Sequence, residues 1–128
     1  MHNYILLAET GSDIPADLAK RYGVETVPMH VAFGDETRDD GTFPTTDIYR
    51  FFERTGTLTK TSGSTVGDFE AVFDRLQREY PGKPILHLAY SAVTTCSYQS
   101  AVIAAEGREG ITSFDTRHVS AGQSLVIL

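Results

Sequence analysis

The sequence predicts an α/β domain built on a mostly parallel sheet of about four strands with flanking helices. Three observations predict it. Short apolar runs of strand length alternate along the chain with longer segments whose apolar residues recur every three or four positions. Turns rich in Gly and Pro separate the two kinds of segment. The 128 residues suffice for one domain with a real core. Parallel strands joined through helices need right-handed crossovers, and ligands then collect beyond the carboxyl ends of the strands.

The first strand is predicted over Tyr4–Ala8, a continuous apolar run. Glu9-Thr10-Gly11-Ser12-Asp13 is a polar turn, and Pro15 suits the first turn of a short helix with Leu18 and Tyr22 four apart. Gly23 stops that helix. Glu25–Phe33 reads as one second strand with Val27, Met29, Val31 and Phe33 alternating, and Pro28 inside it argues for an edge position or a bulge. Gly34-Asp35-Glu36 and Arg38-Asp39-Asp40-Gly41 read as turn and polar loop. Thr45 or Thr46 is expected to cap a helix running to about Arg54, with Ile48, Phe51 and Phe52 on its buried face.

After Gly56 the stretch Lys60–Phe69 packs four hydroxyl side chains and two glycines into a loop that turns into a helix. Thr65 with Asp68 three residues on predicts a capping box, and Phe69, Val72, Phe73 and Leu76 line the apolar face of a helix from Val66 to about Tyr80. Pro81-Gly82-Lys83-Pro84 breaks the chain before a third strand, Ile85–Tyr90. Ser91–Thr95 is a loop, Ser97–Glu106 a helix, Ile111–Phe114 a fourth strand, and Ser120 starts a last helix.

Composition excludes several functions. The formal net charge is −6, from 17 acidic and 11 basic residues, with no basic block, so neither nucleic acid nor an anionic membrane surface is an expected partner. No run approaches membrane-spanning length, and the start of the chain has no signal-peptide pattern, so a cytoplasmic protein is expected. One cysteine, Cys96, allows neither an internal disulfide nor a Cys-rich zinc site. His2, His30, His87 and His118 are scattered and lack metal-ligand spacing, so no metal is expected; His87 reads as a core-flanking strand residue. Glycine-rich phosphate-binding fingerprints are absent.

Two chemical readings remain. Cys96 stands just before a helix start, where a thiol pKa falls, and His118 from the next strand-end loop would supply the base of a small nucleophilic enzyme. The second reading is an anion cradle. Thr61, Ser62 and Ser91 are short neutral donors near helix N-termini, suited to a carboxylate that is held without being hydrolysed. Met29, Phe33, Ile48 and Phe52 are candidates to line an acyl tunnel behind it. The same hydroxyls serve equally well as caps for their own helices, and the same apolar residues as plain core.

The order of motifs resembles the DegV family of bacterial fatty-acid-binding proteins. The matching pieces are Glu9-Thr10-Gly11-Ser12-Asp13-Ile14-Pro15, Asp40-Gly41, Thr61-Ser62-Gly63-Ser64, Ser91 with Ser97-Tyr98-Gln99-Ser100-Ala101, and Phe114-Asp115-Thr116 with Ser120-Ala121-Gly122. The resemblance implies an N-terminal α/β domain over residues 1–128, truncated before a C-terminal domain, as the apolar end Leu125-Val126-Ile127-Leu128 also suggests. It implies a long-chain fatty acid as bound ligand and no cofactor. It implies no chemistry by the domain itself, which would present the acyl carboxylate to a kinase related to dihydroxyacetone kinase. The family's carboxylate-holding hydroxyls fall on Thr61, Ser62 and the Ser91 turn. The chain departs from the family pattern at Ala92, where a second serine is usual, and at Cys96, where glycine is usual. An interaction domain that has lost its ligand is the third reading, suggested by those two departures.

Overall fold

The structure, a computed structural model, describes residues 2–128. Strand β1 (Ile5–Glu9) is buried along its whole length, because it lies second in a four-stranded parallel sheet and packs on both faces. It pairs with β2 (Val24–Val27) on one side and β6 (Ile85–Ala89) on the other, and β7 (Ile111–Asp115) closes the order β2-β1-β6-β7. The predicted parallel α/β sheet is thus present.

Strand alternation divides the apolar residues between two layers. Ile5, Leu7, Val27 and Ile85 face one side. There they meet Phe69, Val72, Phe73 and Leu76 of α3 (Val66–Glu79) and Ala101 and Ala104 of α4 (Ser97–Ala104). The small residues of α4 let it approach α3 and the sheet closely. Leu6, Ala8 and Val24 face the opposite side, against α1 (Ala16–Tyr22) and Ile127 of α5 (Ser120–Ile127). The Thr65–Asp68 capping box forms as predicted: Asp68 N–H donates to Thr65 Oγ1 at 3.2 Å and Thr65 N–H to Asp68 Oδ2 at 2.7 Å.

The expected single strand Glu25–Phe33 is two strands in two different sheets. Pro28 has no N–H to continue the ladder, and the chain breaks at Pro28-Met29. Past the break, β3 (His30–Phe33) forms an antiparallel hairpin with β4 (Glu36–Asp39), where only turn and polar loop were expected. Gly34 starts the two-residue turn at φ +67°, a conformation open to glycine. Strand β5 (Lys60–Ser62) pairs with the other edge of β3, so the segment expected to be a loop is strand here.

Helix α2 (Thr46–Thr55) covers this small sheet with a satellite core of Val31, Phe33 and Phe51, flanked by Phe43 and Ile48. Neither Thr45 nor Thr46 caps α2 through its side chain, and Phe52, expected on the buried face, is 47% exposed. A three-stranded sheet is narrow, so the helix buries only the stripe through Ile48 and Phe51.

Candidate functional site

The predicted edge assembles. The turn after β1, the Ser91–Thr95 loop after β6 and the Asp115–Ser120 loop after β7 meet beyond the carboxyl ends of the parallel strands. Hydrogen bonds join them: Ser91 N–H donates to the His118 carbonyl at 3.0 Å, Ala92 N–H to Asp115 Oδ1 at 3.2 Å, and Ser120 Oγ to Asp13. A cleft of about 550 Å³ opens beside the first turn, lined by Thr10, Ser12, Asp13, Ile14, Asp40 and Gly41 among others.

The chain at Gly63 and Ser64 also meets this edge, at Thr95 and Ser97. Ser64 N–H donates to Ser97 Oγ at 2.9 Å across the start of α4. A Cβ on Gly63 would overlap Thr95 Oγ1 and lie 2.7 Å from Ser97 Oγ, so only glycine admits this contact. Ser64 is fully buried and donates from Oγ to the Pro28 carbonyl at 2.7 Å. Thr65 alone caps the helix.

Thr61 and Ser62 are both exposed, and as neighbours in a strand they point to opposite faces of β5. Ser62 is opposite His30, and Thr61 is opposite Val31. Thr61 therefore shares a face with Val31 and Phe33 of the satellite core, while Ser62 shares one with His30 and Asp39. Ser91 is buried, and its hydroxyl has no hydrogen-bond partner among the described residues. Of the acyl-tunnel candidates, Phe33 and Ile48 sit in the satellite core and Phe52 faces solvent. Met29 lies at the sheet break, where its sulfur occupies the space a side chain on Gly11 would need, beside the Tyr90 ring. The four do not form one lining.

Cys96 is exposed at the start of α4. His118 Nδ1 contacts the Thr116 carbonyl at 2.6 Å, and among the described residues no hydrogen bond joins Cys96 to His118.

Two polar arrangements were missed in the sequence. Under the edge, Glu9 and His87 are both fully buried, with Glu9 Oε1 3.1 Å from His87 Nε2. Glu9 Oε2 accepts from Tyr90 N–H and from Gln123 Nε2, each at 2.9 Å, and His87 Nδ1 lies 3.0 Å from Ser113 Oγ. Burial pushes the Glu9 carboxyl up, but the His87 contact and the Tyr90 amide outweigh it and hold the group below its ordinary range. The available signal was a histidine inside the apolar run Ile85–Ala89, which needs a buried partner. Under the small sheet, His30 bridges Asp39 at 2.9 Å and Asp68 at 2.7 Å. The hydrogen bond to Asp68 leads in raising the His30 pKa, against partial burial.

This architecture has known counterparts. The model of the DegV family, described as "Uncharacterised protein, DegV family", matches residues 5–128. The chain belongs to the DegV family. A DegV domain-containing protein of Caldanaerobacter subterraneus is 26% identical over 130 residues, covering 100% of this chain and 46% of that protein. A solved structure described as fatty acid binding of a DegV family protein from Thermus thermophilus superposes with a TM-score of 0.85 at 28% identity, over 97% of this chain and 44% of that one. A fatty acid-binding protein of Thermotoga maritima is 25% identical over 104 residues, covering 79% of this chain and 36% of that protein. The chain thus spans less than half the length of these DegV relatives.

Proposed function

We propose that this domain binds a long-chain fatty acid and supplies hydroxyl donors to its carboxylate from Thr61, Ser62 and Ser91. The observation that supports this reading is the closure of Gly63, the residue after Ser62, onto Thr95 and Ser97, in the loop that begins at Ser91, whose hydroxyl has no hydrogen-bond partner among the described residues. The fatty-acid binding named for the Thermus and Thermotoga relatives supports it. Because Thr61 and Ser62 face opposite ways, a carboxylate on one face of β5 meets one of the two hydroxyls. Thr61, on the face of Val31 and Phe33, is assigned the larger share. The finer role, presentation of the acyl carboxylate to a kinase related to dihydroxyacetone kinase, belongs to the same proposal: the head group, not the hydrocarbon, would be the part left at the sheet edge.

A hydroxyl donating to a carboxylate contributes about 1.5–3 kcal/mol net. Thr61→Val is therefore expected to weaken fatty-acid binding by about tenfold or more, with thermal stability nearly unchanged, and Ser91→Ala to act similarly. Titration with a fluorescent fatty acid reads both. Native mass spectrometry of the purified protein, produced with whatever coding sequence surrounds these residues, tests the reading itself. A protein that carries no lipid and takes up neither palmitate nor oleate would falsify it and leave the ligand-free interaction domain. A Thr61→Val protein that loses stability but keeps full binding would make Thr61 a structural residue only.

A further inference from the structure

The opposite end of the parallel sheet holds a second concave feature. A cleft of about 410 Å³ lies at the amino ends of β1, β2 and β6, within the size range of small-ligand sites. Tyr4, Tyr22 and Tyr80 line it with Lys20, Arg21 and Lys83. Tyr4 stands just before β1, Tyr22 at the end of α1 and Tyr80 just past α3. All three are 39–42% exposed. None of their hydroxyls has a hydrogen-bond partner among the described residues.

The charge in this cleft is unlike that of the chain. Of the 11 lysines and arginines, Arg38, Arg50, Arg75 and Arg108 make salt bridges. Among the described residues the other seven make none, and three of these seven, Lys20, Arg21 and Lys83, converge here in a chain of net charge −6. The one carboxylate in the lining, Glu25, is already held by Arg75 at 2.9 Å. Lys20 and Arg21 at the end of α1 favour that helix by a few tenths of a kcal/mol, but Lys83 comes from a separate turn and has no such role.

Arg21 and Lys83 sit over the rings of Tyr22 and Tyr80, each at 5.6 Å, which orders both cations at the rim. The cleft is thus rich in donors, poor in acceptors and walled by aromatic rings. An anion with several acceptor oxygens answers the donors, and a flat ring answers the walls.

We propose that this cleft is a second ligand site, taking a phosphate monoester carried on a planar ring. Its lining shares only Lys20 with the cleft beside the first turn, and it does not depend on the fatty-acid reading. Adenosine monophosphate is the probe, with adenosine and inorganic phosphate as the two half-probes. Calorimetry is expected to show one saturable site for the monophosphate, with each half-probe at least about tenfold weaker. Raising salt from about 50 to about 500 mM should weaken it severalfold, since the cations are at the rim. Arg21→Gln and Lys83→Gln together should lower affinity at least about tenfold while fatty-acid uptake is unchanged.

NMR shift mapping on the unaltered protein needs no variant to fold and should place the perturbed amides around Tyr4, Tyr22 and Tyr80. The proposal is overturned by absence of binding below about 1 mM, by inorganic phosphate binding as tightly as the monophosphate, by undiminished binding in the double variant, or by shifts confined to the carboxyl edge.

Discussion

Gly63 shows how much of a site one missing side chain can determine. Its α-carbon stands where Thr95 and Ser97 leave no room for a methyl group, and Ser97 Oγ is committed to the Ser64 amide. Gly63→Ala must push β5 off α4 or break that hydrogen bond. The expected cost is about 1–3 kcal/mol from overpacking, read as a lowered denaturation midpoint, together with loss of fatty-acid binding. Unchanged stability would mean that the two segments part easily. Residues of this kind are hard to find in a sequence, because the constraint belongs to a neighbour 32 positions away from Gly63 in the numbering of Thr95. Glu9 and His87 were hidden for the same reason: each reads as ordinary in its own segment, and the pairing of β1 with β6 brings them together.

At the scale of elements, legibility followed the local apolar pattern. Strands β1, β6 and β7 and helix α3 carry their own apolar patterns, and their sequence reading matches the structure closely. Strand β4, Glu-Thr-Arg-Asp, has no apolar residue, and neither has β5, Lys-Thr-Ser, which is exposed throughout. Both are strands because β3 offers ladder partners, which no local pattern announces. The site suffered accordingly, since Thr61 and Ser62 read as a loop whose hydroxyls share a target, and the ladder turns them apart.

The small sheet is fastened to α3 by His30, between Asp39 on β4 and Asp68 at the cap. The folded-state pKa of His30 is raised above its ordinary 6.5, so its contribution is fully present below that value and is lost as pH rises through the folded-state pKa. Glu9, depressed below 4.5, behaves oppositely: its contribution is present above 4.5 and is lost as pH falls through its lowered pKa. Thermal melting should therefore give greatest stability between about pH 4.5 and 6.5. His30→Gln should flatten the decline on the alkaline side while leaving in place the Glu9 part of the acid limb; the Asp68 part, which His30 helps to set, should shrink. An unchanged alkaline limb would remove His30 as its cause.

Across the whole molecule, the two sheets differ in what holds them. The parallel sheet is packed on both faces by two core clusters, whereas the hairpin sheet rests on one satellite core. Amide hydrogen exchange should accordingly open β3, β4 and β5 before β1 and β6. Equal protection across both sheets would show one cooperative unit instead.

The Ser64 hydroxyl on the Pro28 carbonyl has a consequence for modularity. The chain leaves the parallel framework at Pro28 and rejoins it at Ser64, and 2.7 Å separates the two crossing points. Everything between them is a detour that returns to its origin. Such a segment is an excisable cassette. A short glycine linker in place of residues 29–63 should leave a smaller doubly wound domain that keeps its far-ultraviolet signature and a cooperative melt. Failure of that shortened chain to fold would show that the detour helps build the framework it hangs from.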